Sequence, residues 1–345
     1  MTQAWLDRDG AVTENPDDTV AWHYGDPLRE QRRLGEGAVV DRSDRRIITV
    51  SGDERLTWLH SLTTQHLADL SPGQGTELMV LSPNGHIEHH AGVYDDGSTT
   101  WLDTEPESGK ALLDYLLKMR FFTPVEVEDV SDRWALASHT GSTDLAAPDL
   151  LTVPDAKFAT GTLTMRATAI YAGEALPDGG FVRRTDELGM PMVDLLVPRD
   201  SFNDLPERLD LPVAGRWAFD MLRIGAERPV VGVDTDHRTI PHEVLGLLAR
   251  AVHLDKGCYR GQETVARVHH LGKPPRRLVP LHLDGSDEHP PEVGTDVVAG
   301  SRTVGRIGTA GRHYEDGMIA LALLRRNVAD KPETTFDVAG SAASL

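Results

Sequence analysis

Short runs of strand-forming residues, separated by glycine, proline and asparagine turns, are the feature that most constrains how this chain folds. Residues 77–82 and 86–94 are two such runs, and they flank the turn Pro83-Asn84-Gly85. An Asn-Gly pair between two strand-like runs is typical of a β-hairpin. Similar runs lie at residues 46–52 and 101–103. The chain is therefore expected to build its sheets from many short strands.

Helical patterns lie between these runs, which indicates a mixed α+β architecture. Residues 107–119 have the apolar spacing of an amphipathic helix. Residues 216–225 predict a helix that ends at Gly225, and residues 261–270 one that ends at Gly272. With 345 residues, the chain exceeds the size at which one hydrophobic core stops growing, so two or three subdomains are expected.

The pair Pro274-Pro275 predicts a domain boundary. Beyond it, strand-like runs alternate with glycine turns, which favours a small β-barrel. The predicted organisation has four parts. They are an N-terminal arm at 1–35, a main region of two interleaved α+β subdomains at 36–273, a C-terminal β-barrel at 274–335 and a tail at 336–345.

The composition limits the partners and the compartment. A net charge of −19 opposes generic binding to nucleic acid or to an anionic membrane. A single cysteine excludes an internal disulfide framework and favours a reducing compartment. The first residues lack a secretory signal pattern, and no apolar run approaches the ~20 residues of a membrane helix. We therefore expect a soluble, cytoplasmic protein.

That cysteine, Cys258, lies in the segment Lys256-Gly257-Cys258-Tyr259-Arg260-Gly261-Gln262-Glu263. Lys256 and Arg260 would favour the reactive thiolate, and in an extended segment they would share a face with it. The two glycines add backbone freedom, including positive φ. The alternative is a buried structural cysteine that acts as a small hydrophobe. The residue types alone leave both interpretations open.

Residues 256–277 carry six basic side chains against the single acid Glu263. In a strongly acidic chain, this is the local reversal of charge that an anionic ligand would require. The alternative is a solvated basic linker.

Two further patterns have both a structural and a functional interpretation. Asp194 is the one acid within the apolar residues 189–198. Such a carboxylate either meets donors inside the protein or faces solvent on an alternating strand. His86, Glu88 and His90 would share one face of a strand and could ligate Zn²⁺. They lack the i, i+4 spacing of a helical zinc motif, so no metal site is predicted.

The eight-residue cysteine motif, with Ala266-Arg267 and the basic linker after it, resembles the signature of one protein family. This is the YgfZ branch of the folate-binding aminomethyltransferase superfamily, which includes the glycine-cleavage T-proteins. The resemblance covers roughly residues 36–330 and extends to Val50–Arg55, Ser82–Ile87, Ile240–Glu243 and Ile319–Ala322. It implies a three-subdomain α+β cloverleaf around a central tetrahydrofolate pocket, the last subdomain being the small C-terminal β-barrel.

The resemblance also implies ligand contacts. A reduced pterin presents adjacent N–H donors, for which a carboxylate is a matched acceptor, and Asp194 falls at the acid of the family. Arg223 lies where the family has a helix arginine near the pocket. The p-aminobenzoyl ring suits an aromatic slot, and the glutamate tail suits basic groups. The implied residues are Cys258 as the functional thiol, with Asp194, Arg223, Lys256, Tyr259 and Arg260 as folate-binding residues.

One departure from the family decides between two functions. Aminomethyl-transferring T-proteins resemble each other in a Gly-Gly-Val-x-Asp-Asp segment, where this chain has Gly85-His86-Ile87-Glu88-His89-His90. Because histidines replace the acids, the resemblance implies a tetrahydrofolate-binding accessory protein that supports the assembly or repair of iron–sulfur enzymes, including those that modify tRNA. Its expected partners are folate and iron–sulfur enzymes. The alternative is a folate-dependent aminomethyltransferase or demethylase that transfers a one-carbon unit from a small amine to tetrahydrofolate.

Overall fold

The computed structural model describes residues 5–141 and 170–345, and its helices and strands alternate along the chain. The helices are α1 Pro27–Glu36, α2 Arg55–Leu62, α3 Pro106–Met119, α4 Leu205–Leu209, α5 Arg216–Gly225, α6 Leu245–Ala251, α7 Gln262–Leu271 and α8 Arg326–Ala329. The strands before the proline pair are β1 Val39–Asp41, β2 Arg46–Ser51, β3 Gln74–Leu81, β4 Ile87–Asp95, β5 Thr99–Thr104, β6 Glu126–Asp129, β7 Trp134–Thr140, β8 Tyr171–Ala175, β9 Phe181–Thr185, β10 Met192–Pro198 and β11 Val213–Ala214. The strands after it are β12 Arg276–Leu283, β13 Asp296–Ala299, β14 Arg302–His313, β15 Gly317–Arg325, β16 Phe336–Val338 and β17 Ser341–Ser344.

The described strands of the main region form one long sheet in the order β11-β1-β7-β10-β9-β8-β3-β4-β5-β2-β6. Its neighbouring strands are antiparallel except β1 and β11, which are parallel. The predicted hairpin is confirmed as β3 and β4, which pair from Gln74 and Asp95 towards the turn. Strand β10 thus lies between β7 and β9 and is in register with both.

The predicted helices are confirmed with small shifts of their ends. Residues 107–119 correspond to α3, and residues 216–225 are α5. Helix α7 begins after Gly261 and ends at Gly272, and both glycines have positive φ. A further strand that the sequence predicts at residues 163–172 lies mostly outside the described residues.

The C-terminal domain is a closed barrel of strands in the order β12-β15-β14-β13-β16-β17. The prediction of a tail at residues 336–345 is wrong, because β16 and β17 lie within that stretch. Strand β16 pairs with β13, and β17 pairs with β12, so these two strands close the barrel. Phe336 and Val338 point into its core, and so does Ala343. The sequence pattern missed them because both strands are short.

Residues of the predicted arm pack against the main region. The Trp5 ring is buried, stacks on Phe202 and donates from Nε1 to the Phe202 carbonyl at 3.0 Å. Further along, Trp22 stacks on Trp217 of α5 at 5.8 Å between ring centroids. Residues 27–36 of this part of the chain form α1, which Asp26 caps by accepting from the Arg29 amide.

One apolar core joins the sheet, helices α5 to α7 and the barrel. It contains Met79 and Leu81 of β3, Leu247 of α6, Val265 of α7 and Leu321 of β15. Because the cysteine segment, residues 256–263, connects α6 to α7, this core fixes both ends of the segment.

Candidate functional site

Asp194 lies in the interior of the sheet, in a row of residues from three neighbouring strands. It pairs in register with Ser138 of β7 and with Arg183 of β9. Ser138 Oγ donates to Asp194 Oδ1 at 2.6 Å, and Arg183 Nη2 donates to Oδ2 at 2.6 Å. The Asp194 side chain is 1% exposed, so of the two interpretations open from the sequence, the interior one with donors applies.

Asp194 is one wall of a small cavity, which we call the central cavity. Charged and polar side chains from both halves of the sheet line it. The lining residues are Arg45, Thr76, Glu77, His90, Gly92, Asp103, Tyr171, Arg183, Thr185, Glu187, Asp194 and Arg228.

Arginine–carboxylate pairs connect most of this lining. Arg183 Nη2 lies 2.9 Å from Asp103 Oδ1, and Arg45 Nη2 lies 2.9 Å from Asp103 Oδ2. Arg228 Nη2 donates to both oxygens of Glu77, at 2.8 and 2.9 Å. Buried charges of this kind remain in a protein interior when they are paired and hydrogen-bonded. The cavity wall is therefore a connected network rather than a set of separate ligand-binding groups.

The network keeps Asp103 and Glu77 charged. Burial acts to raise the pKa of Asp103, but Arg183 and Arg45 outweigh it and lower that pKa to about 2. Burial also opposes ionisation of Glu77, yet Arg228 and the hydrogen bond from His90 hold the pKa of Glu77 well below its ordinary value. Burial, followed by the charges of Glu77 and Asp186, raises the pKa of Tyr171 well above its ordinary value. Its hydroxyl therefore remains a donor to Glu77, at 2.7 Å.

Two glycines make room for Arg183. A Cβ atom at Gly92 would lie 2.9 Å from Arg183 Nη1 and 2.5 Å from Asp103 Oδ1. A Cβ atom at Gly75 would lie 2.8 Å from Arg183 Cδ. Real Cβ atoms do not approach other heavy atoms this closely, so the arginine passes through a groove that only glycine provides on these strands.

Three donors on side chains that line the cavity have no hydrogen-bond partner within the described part of the protein. They are Nε of Arg183, Nη1 of Arg228 and Oγ1 of Thr185, and all three side chains are buried. A buried donor without an acceptor is unfavourable by about 1–3 kcal/mol. A ligand that offers acceptors to Arg228 and Thr185 and donors to Asp194 would remove part of that penalty.

Arg223 is fully engaged away from this cavity. Its guanidinium donates to Asp220 at 2.6 Å, to Asp234 at 2.9 Å and to Thr309 at 2.6 Å, the last on strand β14. It does not line the central cavity. These contacts show Arg223 attaching helix α5 to the barrel.

In the cysteine segment, Lys256 is anchored to the end of helix α2. Its Nζ donates to the carbonyls of His60, Thr63 and Gln65, the last two at 2.6 and 2.9 Å. Burial lowers the pKa of Lys256 to about 7. Three carbonyl acceptors match the three donors of an ammonium group, so this geometry favours the charged form. Lys256 therefore holds the segment in place.

Tyr259 and Arg260 are also used within the protein. The Tyr259 ring packs against the core that joins sheet and barrel, 5.1 Å from Lys256 Nζ, and burial raises its pKa to about 12. Arg260 makes a bidentate pair with Glu88, at 2.9 and 3.3 Å, and lies over the Tyr115 ring. The sequence pattern placed Lys256 and Arg260 beside the thiol, but in the structure both cations contact other partners.

The basic residues of segment 256–277 are mostly neutralised or engaged by internal contacts. Arg276 pairs with Asp236 at 2.6 Å and with Glu243 at 2.8 Å. Arg277 lies 3.7 Å from Asp330. Arg267 and Lys273 are exposed and make no ion pair among the described residues. The net positive charge of the sequence is therefore only partly available to a ligand.

Cys258 is exposed, which excludes the buried structural interpretation. It does not line the central cavity, and neither do Lys256, Tyr259 and Arg260. The structure thus separates the sequence-predicted residues into Asp194 at the cavity, Arg223 at the barrel contact, and the cysteine segment.

The histidine cluster of β4 does not converge. His90 contacts Glu77 at 2.8 Å inside the cavity, whereas Glu88 pairs with Arg260 on the outside. His89 is buried between them, and burial followed by the charge of Arg260 lowers its pKa to about 4. In the described ranges, 5–141 and 170–345, no three His, Cys, Asp or Glu side chains are arranged to hold a metal ion.

Sequence reasoning missed most of the cavity wall, although a signal existed. Glu77 and Asp103 each have apolar or β-branched neighbours in their strands, as Asp194 does, and Arg183 lies in the short strand β9. A charge in such a strand needs a partner when it is buried. Which strand supplies that partner depends on the sheet order, which the local sequence does not contain.

No helix in the described part of the chain is long and apolar enough to cross a membrane.

The fold matches that of a solved aminomethyltransferase. The glycine cleavage system aminomethyltransferase T from Bartonella henselae superposes with a TM-score of 0.79 at 18% identity, over 99% of this chain and 94% of that one. This match and the closed barrel confirm the expected fold class, an α+β aminomethyltransferase fold with a small C-terminal β-barrel. Residues 276–344 match the family described as the CAF17 C-terminal beta-barrel domain.

Three curated relatives match most of this chain at low sequence identity. A YgfZ tRNA-modifying protein from Colwellia psychrerythraea is 23% identical over 87% of this chain and 89% of its own length. A mitochondrial IBA57 homologue of Chaetomium globosum, named an iron–sulfur cluster assembly factor, is 24% identical over 86% of this chain and 73% of its own length. A chloroplastic protein of Arabidopsis thaliana, named as a putative transferase, is 26% identical over 84% of this chain. This chain spans 66% of that relative's length, which is just under two thirds. In sequence the chain is thus similar to YgfZ-type and IBA57-type proteins, and in fold it is similar to a glycine-cleavage aminomethyltransferase.

Proposed function

We propose that this protein is a tetrahydrofolate-binding accessory factor for the assembly or repair of iron–sulfur enzymes, including enzymes that modify tRNA. The relatives named for tRNA modification and for iron–sulfur cluster assembly support this function. The observation that carries it is the separation of the exposed Cys258 from the polar central cavity. A thiol outside the cavity is accessible to a protein partner while a ligand occupies the cavity.

The cavity residues fit the pterin head of a reduced folate. That head carries N–H donors and a carbonyl acceptor on one edge, and Asp194 with the unpartnered Nη1 of Arg228 and hydroxyl of Thr185 offers the complementary set. A carboxylate has about four lone-pair sites, so Asp194 can accept further bonds beside those from Ser138 and Arg183. As it stands, the cavity has room for about one water molecule, so its lining side chains must move apart to admit the pterin head. Lys256, Tyr259 and Arg260 stay candidates for the rest of the folate.

Titration calorimetry with folinic acid tests folate binding. Thr185→Val is the sharpest variant, because the threonine hydroxyl has no protein partner to lose. We expect about tenfold weaker binding with no loss of thermal stability, because valine removes a buried hydroxyl that has no partner. Ser286→Ala, on the exposed surface of the barrel domain, is the control. A folded wild-type protein that releases no heat with folinic acid would refute the folate proposal.

Complementation tests the accessory role. In cells that lack the protein, Cys258→Ser should abolish support of iron–sulfur enzyme activity while folinic acid binding and the fold persist, because the thiol is exposed and has no hydrogen bond to another described residue. The readout is the activity of an iron–sulfur-dependent tRNA-modifying enzyme. Full complementation by Cys258→Ser would contradict a functional thiol.

The transferase alternative rests on the aminomethyltransferase fold and on the name of the Arabidopsis relative. Incubation of the protein with tetrahydrofolate and candidate methylamines, followed by detection of methylene-tetrahydrofolate, separates the two functions. Turnover would favour the enzyme, and binding without turnover would favour the accessory factor. We expect no turnover, because His90 and Arg228 already engage Glu77 within the cavity and no unpaired acid lines it.

A further inference from the structure

Two adjacent phenylalanines project from the turn after helix α3. The Phe121 side chain is 73% exposed and the Phe122 side chain is 102% exposed. Leu117, one turn earlier on the helix, adds a side chain that is 44% exposed. Large apolar side chains side by side on the surface are unfavourable in water, and contiguous apolar patches commonly mark interaction sites.

The backbone at this turn is also unfavourable for the residue it carries. Phe121 has φ +45°, in the left-handed region that favours glycine or asparagine where a helix ends. The strain is not offset by packing, because the ring is mostly in solvent. Strained residues of this kind cluster at functional sites. A sequence selected for stability alone would place glycine here.

Contacts with neighbouring parts of the main region hold the turn in place. Trp58 Nε1 donates to the Met119 carbonyl at 3.4 Å, and the neighbouring loop at Gly52 comes so close that a Cβ there would lie 2.5 Å from the Pro124 carbonyl oxygen. The two rings therefore project from a turn whose backbone is held by these contacts. A preformed apolar projection of this kind inserts into a partner with little loss of conformational entropy.

The area and charges indicate the kind of partner. Two such rings offer roughly 350 Å² of apolar surface, under half of the ≈ 800 Å² that each side of a stable interface buries. The patch alone would therefore hold any partner weakly, and in a symmetric contact with a second copy of this chain Lys118 and Arg120 would also meet like charges. Negative charge opposes docking on an anionic membrane. The chain has a net charge of −19, and three acids near the turn are exposed: Asp53, Glu54 and Glu126.

On the helix side the projection is flanked by Lys118 and Arg120, which are exposed and make no ion pair among the described residues. We propose that Phe121 and Phe122 form an anchor that inserts into an apolar pocket on a protein partner, with an acidic rim facing Lys118 and Arg120. Aromatic side chains that fill a pocket dominate the binding energy of many interfaces. This anchor is independent of the central cavity and of Cys258, and it goes beyond the accessory function proposed above.

Thermal unfolding of variants tests whether the Phe121 ring has a structural role or is exposed for binding. Phe121→Gly relieves the strain and removes an exposed ring, so the midpoint of thermal unfolding should rise by a few degrees. Phe122→Ser should leave it unchanged. Val293→Ser is the control, since Val293 is an exposed apolar residue of the barrel domain. A fall in the midpoint with Phe121→Gly would show that the ring has a structural role and would overturn the proposal.

Photo-crosslinking in cells of the native host tests docking. Phe122 is replaced by the photoreactive residue p-benzoylphenylalanine, and the same replacement at Val293 is the control. We expect a discrete protein adduct at position 122 that is absent at position 293. The partner is then purified, and wild-type protein should bind it at least tenfold more tightly than a variant carrying Phe121→Gly and Phe122→Ser.

Each other result overturns the proposal: no discrete adduct, an adduct of twice the chain mass, lipid adducts only, or equal affinity of the two forms for the purified partner. The identity of the partner also separates the anchor proposal from the accessory function proposed above. A partner without an iron–sulfur cluster would support the anchor and count against that function.

Discussion

At the scale of single residues, Arg183 connects the two halves of the central cavity. It is buried on strand β9 and pairs with Asp194 on β10 and with Asp103 on β5. Removing one member of a buried ion pair leaves an uncompensated charge, which is more destabilising than losing an exposed pair. The surface pair of Arg133 and Glu128, at 2.6 Å, provides the comparison, because the Arg133 side chain is 52% exposed.

We expect Arg183→Met to lower the free energy of unfolding by about 3–5 kcal/mol, because two carboxylates lose their partner. Arg133→Met should change it by at most about 1 kcal/mol. Urea denaturation of both variants measures the difference. Equal effects would mean that Arg183 contributes no more than a surface charge.

The same network predicts a dependence on acid. The pKa of Asp103 is lowered from 3.8 to about 2, chiefly because Arg183 and Arg45 outweigh burial. A lowered pKa in the folded state contributes stability that is present above the unfolded pKa and is lost as the pH falls through the folded one. Stability should therefore fall between about pH 4 and pH 2, and Asp103→Asn should flatten that slope. Urea denaturation across this range measures it, and an unchanged slope would contradict the assignment.

At the scale of elements, the two glycines of the cysteine motif have different roles. Gly261 has φ +81° at the start of α7, and a Cβ there would lie 2.5 Å from the Ser82 carbonyl oxygen of the hairpin turn. Gly257 has no heavy atom within 4 Å of an added Cβ. Helix α7 therefore packs on the β3–β4 turn through Gly261, whereas Gly257 has open space.

Gly261→Ala should lower the free energy of unfolding by at least about 1–2 kcal/mol, from the left-handed backbone alone. Gly257→Ala, four residues earlier, should stay within about 0.5 kcal/mol of wild type. Thermal and urea unfolding compare the pair. A Gly257→Ala protein as unstable as Gly261→Ala would mean that the motif requires both glycines for folding.

At the scale of the whole molecule, the last ten residues decide whether the barrel closes. Strands β16 and β17 cover the edges of β13 and β12 and bury Phe336 and Val338. An open edge presents unpaired backbone groups and promotes aggregation. The C-terminal residues are thus part of the domain that also contacts α5 through Thr309 and Arg223.

Deletion of residues 336–345 should lower the free energy of unfolding by at least about 3 kcal/mol, since each buried large apolar side chain contributes about 1.5–3 kcal/mol. Deletion of Leu345 alone keeps both strands and is the control. Solubility and thermal unfolding of the two truncated proteins give the comparison. An unaffected midpoint in the longer deletion would restore the interpretation of these residues as a tail.

Local patterns in the sequence determined the elements. Three such patterns are the Asn84-Gly85 turn, the apolar spacing of α3 and the glycines at the two ends of α7. Each acts within a few residues, so it can be recognised without knowledge of the fold. The same is true of the barrel strands from β12 to β15, and of the motif around Cys258 that carries the resemblance to YgfZ-type proteins. Short strands such as β16 and β17 carry too little pattern to be recognised.

Only the tertiary structure decided which charges meet. Asp194 and Ser138 are 56 residues apart in the chain, and Lys256 lies 191 residues from the Gln65 carbonyl that it binds. Cations near Cys258 in sequence, such as Arg260, instead face acids from other elements. The sequence by itself determined the strands, the helices and the exposed motif, because these depend on neighbouring residues. The cavity, the separation of Asp194 from Cys258 and the partners of each arginine depend on sheet order and register, which arise when distant segments pack.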